Sequence, residues 1–280
     1  MHYLIDLSLP DHRLHDIKNA LDKTNSNYTF FGLISEENIF TGIDYDIFKI
    51  NEKFIAISYI NAIKLCTGNS FSQKNLFNSD HLTEGEIDNI LLKMKNAFFY
   101  DDEIKFDQSY YSTLGLPLLN DNAHFIDING NEGMKFEKDM FIKPSKDLKA
   151  FVGGIIKEGQ TIEDFVKNGR YQAGWQTEIA LIAEVKDIYS EYRFFVLGDE
   201  VITGSRYIIN GEVVTSTIIP EELLNTAKEY AKLYTPHKLF TMDIAVMKNG
   251  DYKIVEYNAF NGSGHYECDL FKLFDKLNKI

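Results

Sequence analysis

Thr241–Tyr266 reads TMDIAVMKNGDYKIVEYNAFNGSGHY, and this stretch decides the fold. Two runs rich in β-branched and apolar residues flank Asn249-Gly250, the strongest short hairpin signal. With Asn249 and Gly250 as a two-residue loop, Lys248 faces Asp251, Val246 faces Lys253, Asp243 faces Glu256 and Thr241 faces Asn258. Strand alternation then puts Asp243, Glu256 and Asn258 on one face. Opposed side chains have Cβ atoms about 5 Å apart, where like charges destabilise the pair. Two carboxylates so placed, with an amide alongside, invite a cation. An all-oxygen site of this kind suits Mg²⁺, which takes one or two carboxylates plus phosphate oxygens and water. A solvated strand face in a shifted register is the alternative.

Outward from the hairpin, the chain is ordinary for a globular protein. Its 280 residues are 44% hydrophobic and 25% charged, enough for one large domain or two smaller ones. The formal net charge of -13 argues against a general nucleic-acid or anionic-membrane binder, but leaves room for a local phosphate pocket. Cys66 and Cys268 lie far apart without metal spacing. Two isolated thiols, no basic n-region before an apolar run, and no long apolar stretch together read as a soluble cytoplasmic protein.

Residues 1 to about 100 alternate strand and helix and read as a small α/β unit. Strands are expected at 3–6, 28–34 and 53–60, and helices at 13–23 and 84–99. Thr83 and Glu86 have capping-box spacing before the second helix. Its apolar stripe is Ile87, Ile90, Leu91 and Met94. Residues 101–127 read as a joint. Beyond Phe136 strands and hairpins dominate: strands at 140–143, 150–156 and 178–184, a hairpin over 191–207, and a helix at 220–234 opened by proline and acids. Thr161 caps a short helix with Glu163 and Asp164 in its first turn. The last helix, 270–277, presents Leu270, Phe271, Phe274 and Leu277.

The 191–207 hairpin repeats the logic of the first. A Gly198-Asp199 turn sets Glu191 opposite Arg206 and Arg193 opposite Gly204, with both arginines on one face. The pair could be a salt bridge to Glu191 or a bidentate grip on anionic oxygens. Gly204 then leaves room for a ligand near the backbone. Lys143 ends an apolar strand, near Lys146 and Lys149, and either gathers phosphate charge or guards a sheet edge. Backbone groups at Ala183–Lys186 could read an adenine edge.

Together these parts are more specific than any one of them. FIKP at 141–144, LIAEVKDIYSEYRFFV at 181–196, GSRY at 204–207 and DIAVMKNGDYKIVEYNAFNGSG at 243–264 resemble the ATP-grasp superfamily, in its order. The likeness spans residues 141–264 and is closest to a little-characterised phage and bacterial branch with two arginines and a lysine at these places. It implies an α+β ATP-grasp fold of two subdomains gripping ATP, preceded by the small α/β unit. The divisions expected are 1–100, a connector at 101–135, and an ATP-grasp domain at 136–280, split into 136–186 and 187–280.

The resemblance also implies roles. Asp243, Glu256 and Asn258 match the magnesium ligands, for two ions shared with ATP. Lys143 matches the lysine on nucleotide phosphate, Glu184, Val185 and Lys186 the adenine hinge, and Glu191 the ribose acid. Arg193, Arg206 and Lys143 would stabilise the transferring phosphoryl group. The 144–149 connection, PSKDLK, has no glycine-rich phosphate loop, so Lys149 or Gly153-Gly154 would substitute. Asn261, Ser263, Gly264 and His265 fall to the substrate, although His265 could equally be an inconsequential loop residue. The implied activity is carboxylate–amine ligation through an acyl phosphate, on small-molecule or peptide carboxylates and amines, with no nucleic-acid or membrane partner and a homodimer allowed. A phosphotransferase on the same fold and a non-catalytic nucleotide-binding module are the rivals.

Overall fold

The structure is a computed structural model that describes residues 1–34, 39–41, 47–48, 52–58, 83–97, 103–147 and 150–280. Lys149 and Cys66, and parts of the expected strand at 53–60 and helix at 84–99, lie outside the described residues.

Three sheets carry the fold. The first has the order β3-β2-β1-β4, from β1 (His2–Asp6), β2 (Asn27–Ile34), β3 (Ile39–Thr41) and β4 (Phe54–Ile57). β1 pairs parallel with both β2 and β4, as an α/β unit requires. Helix α1 (Asp11–Lys23) and helix α2 (Glu84–Ala97) belong to it. Thr83 and Glu86 form the expected box: the Thr83 N–H donates to Glu86 Oε2 at 2.9 Å, and the Glu86 N–H to Thr83 Oγ1 at 3.3 Å.

A short helix, α3 (Gln108–Tyr111), leads to the second sheet. Its order is β5-β8-β6-β7, from β5 (His124–Asp127), β6 (Met140–Pro144), β7 (Gly154–Ile156) and β8 (Ile179–Glu184). β7 is shorter than the expected 150–156 strand, because Ala150 and Phe151 turn into this sheet's own core. Helix α4 (Ile162–Lys167) covers that core, capped at Thr161 by the Asp164 N–H at 3.0 Å.

The third sheet, β11-β10-β9-β12-β13, is antiparallel throughout. Its strands are β9 (Ile188–Leu197), β10 (Glu200–Ile209), β11 (Glu212–Ser216), β12 (Leu239–Met247) and β13 (Tyr252–Ala259). Helix α5 (Glu221–Ala231) packs on one face through Leu223, Ala227 and Ala231. Helix α6 (Leu270–Leu277) buries Leu273, Phe274 and Leu277, while Phe271 points out half exposed, contrary to the expected stripe. The local reason is that Asp269 caps the helix and sets its rotation from the first turn.

The first and third sheets share two cores. Leu4, Phe54 and Ala56 pack with Phe194, Met242 and Tyr257 in one. Tyr3, Ile5 and Leu21 pack with Phe195, Phe260 and Phe274 in the other. The second sheet closes a separate core around Ile142, Phe151, Ile156 and Trp175. Among the described residues, no helix is long and apolar enough to cross a membrane.

Candidate active site

The β12–β13 hairpin turns differently from expectation and still delivers its acids. Met247 and Asp251 close a three-residue loop, with Gly250 at φ +92°. Near the turn Val246 therefore faces Tyr252 rather than Lys253. Carried on unbroken, that register would set Asp243 opposite Val255 and send Glu256 to the other face. A bulge at Val255 restores it, so Asp243 faces Glu256 and Thr241 faces Asn258. The intervening Met242, Ile244, Ile254 and Tyr257 fill the core behind.

The β9–β10 hairpin contains two such irregularities, and they overturn its expected pairs. Arg193 faces Ser205, Arg206 faces Tyr192, and Glu191 faces Ile208. Arg206 thus falls out of line with Arg193 and donates to the Val214 carbonyl at 3.3 Å. Gly204 faces Phe194, whose ring fills the space expected for a ligand. The second bulge instead turns Tyr207 inward. Its hydroxyl donates to Glu191 Oε2 at 2.6 Å and to Asp243 Oδ2 at 3.2 Å.

Across three strands, Arg193, Asp243 and Glu256 stand side by side. Arg193 grips Asp243 with both nitrogens, Nε to Oδ1 at 2.8 Å and Nη2 to Oδ2 at 2.7 Å. Both side chains are buried, at 7% and 1% exposure. Burial opposes the charge on Arg193, yet the Asp243 carboxylate holds it protonated, well above the usual arginine range. Asn258 Nδ2 reaches Asp243 Oδ2 at 3.5 Å. Burial raises the Glu191 carboxyl, while its bond from Tyr207 works the other way.

The second sheet supplies the opposite wall. On β6, Ile142 enters the core, and Phe141 and Lys143 face the third sheet. Lys143 Nζ donates to Glu256 Oε2 at 2.6 Å. A cavity of about 350 Å³ lies there, lined by Phe141, Lys143, Lys146, Asp147, Glu256 and Asn258. Gly153 borders it, where an added Cβ would come within 2.6 Å of Lys143 Cβ. Asp147 reaches across to accept the Ala259 N–H at 2.9 Å. A second cavity, about 400 Å³, is lined by Met140, Ala183, Glu184 and Lys186 of the expected hinge, with Asn120 and His124. Glu184 pairs there with Lys138 at 2.7 Å in solvent, and Val185 is exposed.

The loop after β13 is packed rather than open. Asn261 Nδ2 donates to the Ala56 carbonyl at 2.5 Å and the Ala97 carbonyl at 3.0 Å. Ser263 shares a hydrogen bond with Thr241 at 2.8 Å and donates to the Ala259 carbonyl. His265 is buried flat against Phe195, 5.5 Å between centroids, and takes an Arg13 N–H at 3.2 Å on Nδ1. Burial first, and then Arg13 and Arg193, hold it neutral, well below the usual histidine range. Gly264 offers its carbonyl to Arg193 Nη1 at 3.4 Å.

Sequence reasoning missed Tyr207, Arg13, Tyr266 and Asp147. Tyr207 is visible in the sequence only as part of GSRY, since its reach depends on a bulge. Arg13 and Asp147 meet partners more than 100 residues away, and nothing local marks them.

Residues 124–274 match a family model of the ATP-grasp domain, family 2 of the clade named for two arginines and a lysine, and the chain belongs to that family. No curated protein matches the sequence. Among solved structures, the fold is shared with the ATP-grasp ligase PsnB complexed with minimal precursor, at 14% identity and TM-score 0.53, covering 99% of this chain and 98% of that one. It is shared too with D-alanine–D-alanine ligase from Bacillus anthracis, at 11% identity and TM-score 0.55, covering 99% and 92%. D-cycloserine synthetase DcsG matches at 10% identity and TM-score 0.54, covering 100% and 99%.

Proposed function

We propose that the protein is an ATP- and magnesium-dependent ligase that joins a carboxylate to an amine. The observation that carries this reading is the line Arg193, Asp243, Glu256, Lys143, two carboxylates between two cations, at a cavity between two sheets. Its charges already cancel in pairs. Magnesium nucleotide brings both a cation and an anion, so it can take each acid and each base in exchange.

The donor set fits the metal. Asp243, Glu256 and the Asn258 amide offer only oxygen and lie on adjacent strands. Among the described residues, no three His, Cys, Asp or Glu side chains are gathered to hold a metal ion alone. Two carboxylates plus phosphate oxygens is the usual magnesium arrangement. Magnesium bound there neutralises phosphate charge during transfer.

The chain's own groups do the rest. Lys143, released from Glu256, holds nucleotide phosphate as a point charge. Arg193, released from Asp243, offers a planar fork to the transferring phosphoryl group and to the acyl phosphate that the amine attacks. Glu184–Lys186 hold adenine, and Glu191 the ribose. Arg206 has the longer reach to travel, from the Val214 carbonyl. In this reading 136–186 and 187–280 are the two gripping subdomains, with 1–100 and 101–135 as N-terminal unit and connector, in a cytoplasmic enzyme acting on small-molecule or peptide substrates.

The test is ADP release across a panel of amino acids and peptides, comparing wild type with Glu256→Gln. Wild type should turn over on at least one acceptor, with the variant down by about 100-fold or more. Mass spectrometry of the product should show a dehydrative join. A phosphate adduct would make the protein a phosphotransferase, and no excess of wild type over the variant on any acceptor would end the ligase reading.

A further inference from the structure

Tyr266 has φ +48°. A bulky residue in the left-handed region is an outlier that persists only where its surroundings hold it. Burial does not explain it, since the ring is 41% exposed. Its hydroxyl makes no hydrogen bond among the described residues.

The ring itself has neighbours. It stacks on Tyr207 at 4.8 Å between centroids and 12° between planes. The Arg193 guanidinium carbon lies 5.4 Å from the Tyr266 centroid and 5.5 Å from that of Tyr207. Gly264 makes room, for a Cβ there would sit 3.3 Å from the Tyr266 ring. The loop is pinned from behind, where Arg13 Nη2 donates to the Ser263 carbonyl at 3.1 Å and reaches His265 Nδ1.

The arrangement answers a need that the proposed function creates. When Asp243 turns to the metal, Arg193 loses its two strongest hydrogen bonds. What remains is the Gly264 carbonyl and the two aromatic rings. A guanidinium against aromatic faces stays attracted while its N–H groups are left to bind an anion.

We propose that Tyr266 is a positioning residue, whose ring, backed by Tyr207, keeps Arg193 aimed into the cleft once Asp243 releases it. This rests on the ATP reading and adds a residue that touches neither nucleotide nor metal. Strain at Tyr266 is then the cost of placing a ring where a glycine would sit more easily.

The experiment measures Mg·AMPPNP and Mg·ADP affinities calorimetrically for wild type, Tyr266→Phe and Tyr266→Asn, with melting temperatures. AMPPNP carries the γ-phosphate group that Arg193 would hold, so wild type should prefer it. Tyr266→Asn should lose roughly tenfold or more of that preference, the worth of a charged hydrogen bond. Its ADP affinity should stay, and its melting temperature should hold or rise, because asparagine tolerates this backbone. Tyr266→Phe keeps the ring and should keep the preference. Should the asparagine variant fail to fold, Tyr266→Gly removes ring and strain together and takes its place. The proposal is overturned if the ringless variant keeps the preference, if it loses ADP binding and stability together, if the phenylalanine variant fails like it, or if wild type shows no preference. Wild type binding neither nucleotide would be a separate failure, that of the ATP reading itself.

Discussion

At the residue scale, Asp243 carries two opposed demands. It is the counter-ion of a buried arginine and the proposed ligand of a metal. Stripping a buried charge of its partner typically costs about 3–5 kcal/mol, so the arginine and the acid are kept together until something replaces one of them. His265 is the quieter neighbour. The sequence offers it as a substrate residue or a bland loop residue, and the structure makes it part of a core, stacked on Phe195. Its folded pKa lies below the ordinary 6.5, through burial and then the two arginines. Unfolded chains therefore bind a proton here that the folded chain refuses. Its contribution is complete above 6.5 and is lost as pH falls below it. His265→Phe should flatten that loss, read as urea midpoints between about pH 5 and 8. His2, also lowered by burial, should leave a smaller residual slope. An unchanged slope in the variant would show that His265 is not the sensor.

At the scale of elements, both hairpins owe their chemistry to irregularities. An extra residue at Val255 turns Glu256 toward Asp243, and another at Tyr207 turns a hydroxyl toward Glu191. The sequence shows the strands, the turns, and the pairing of Asp243 with Glu256, because alternation and Asn-Gly are local signals. The turn there has three residues rather than two, so the pairing survives only through the bulge. No local signal marks a bulge, and each one in β10 moves every later pair by one. This is why alternation alone sets Arg206 beside Arg193, whereas it lies beside Tyr192. Gly204 has the same cause. Expected to admit a ligand, it admits Phe194 instead. An added Cβ would stand 2.7 Å from Phe194 Cδ1 and 2.8 Å from the Arg193 carbonyl oxygen. The carbonyl is backbone and cannot swing away. Gly204→Ala should lower stability by about 1–3 kcal/mol in chemical denaturation, by overpacking, and should disturb Arg193 from behind. A variant as stable as wild type would mean the hairpin can shift at little cost.

At the scale of the molecule, the second sheet stands apart. It has its own core, and it meets the third across the cavity through Lys143 with Glu256 and Asp147 with the Ala259 N–H. The groups meant for phosphate and for metal are thus bound to each other. Either ligand alone must break a pair and leave one charge uncompensated, whereas both together replace every partner. Thermal shifts should show it: Mg²⁺ alone and ATP alone small, and the two together larger than their sum, with a coupling of about 1–3 kcal/mol. Strictly additive shifts would mean that the charge pairs are not what the ligands exchange. The metal expectation read from the opening hairpin thereby becomes a statement about two sheets. Asn261 carries a different consequence. Its one amide draws in the Ala56 carbonyl of β4 and the Ala97 carbonyl at the end of α2, and it sits three residues beyond Asn258. The stretch that defines the family begins only at residue 124, long after both carbonyls. The unit that can be passed intact from one protein to another is therefore longer than the stretch by which its kinship is recognised. An N-terminal unit grafted from a relative would have to bring two carbonyls to the same point, or leave a buried amide unanswered beside the proposed metal strand.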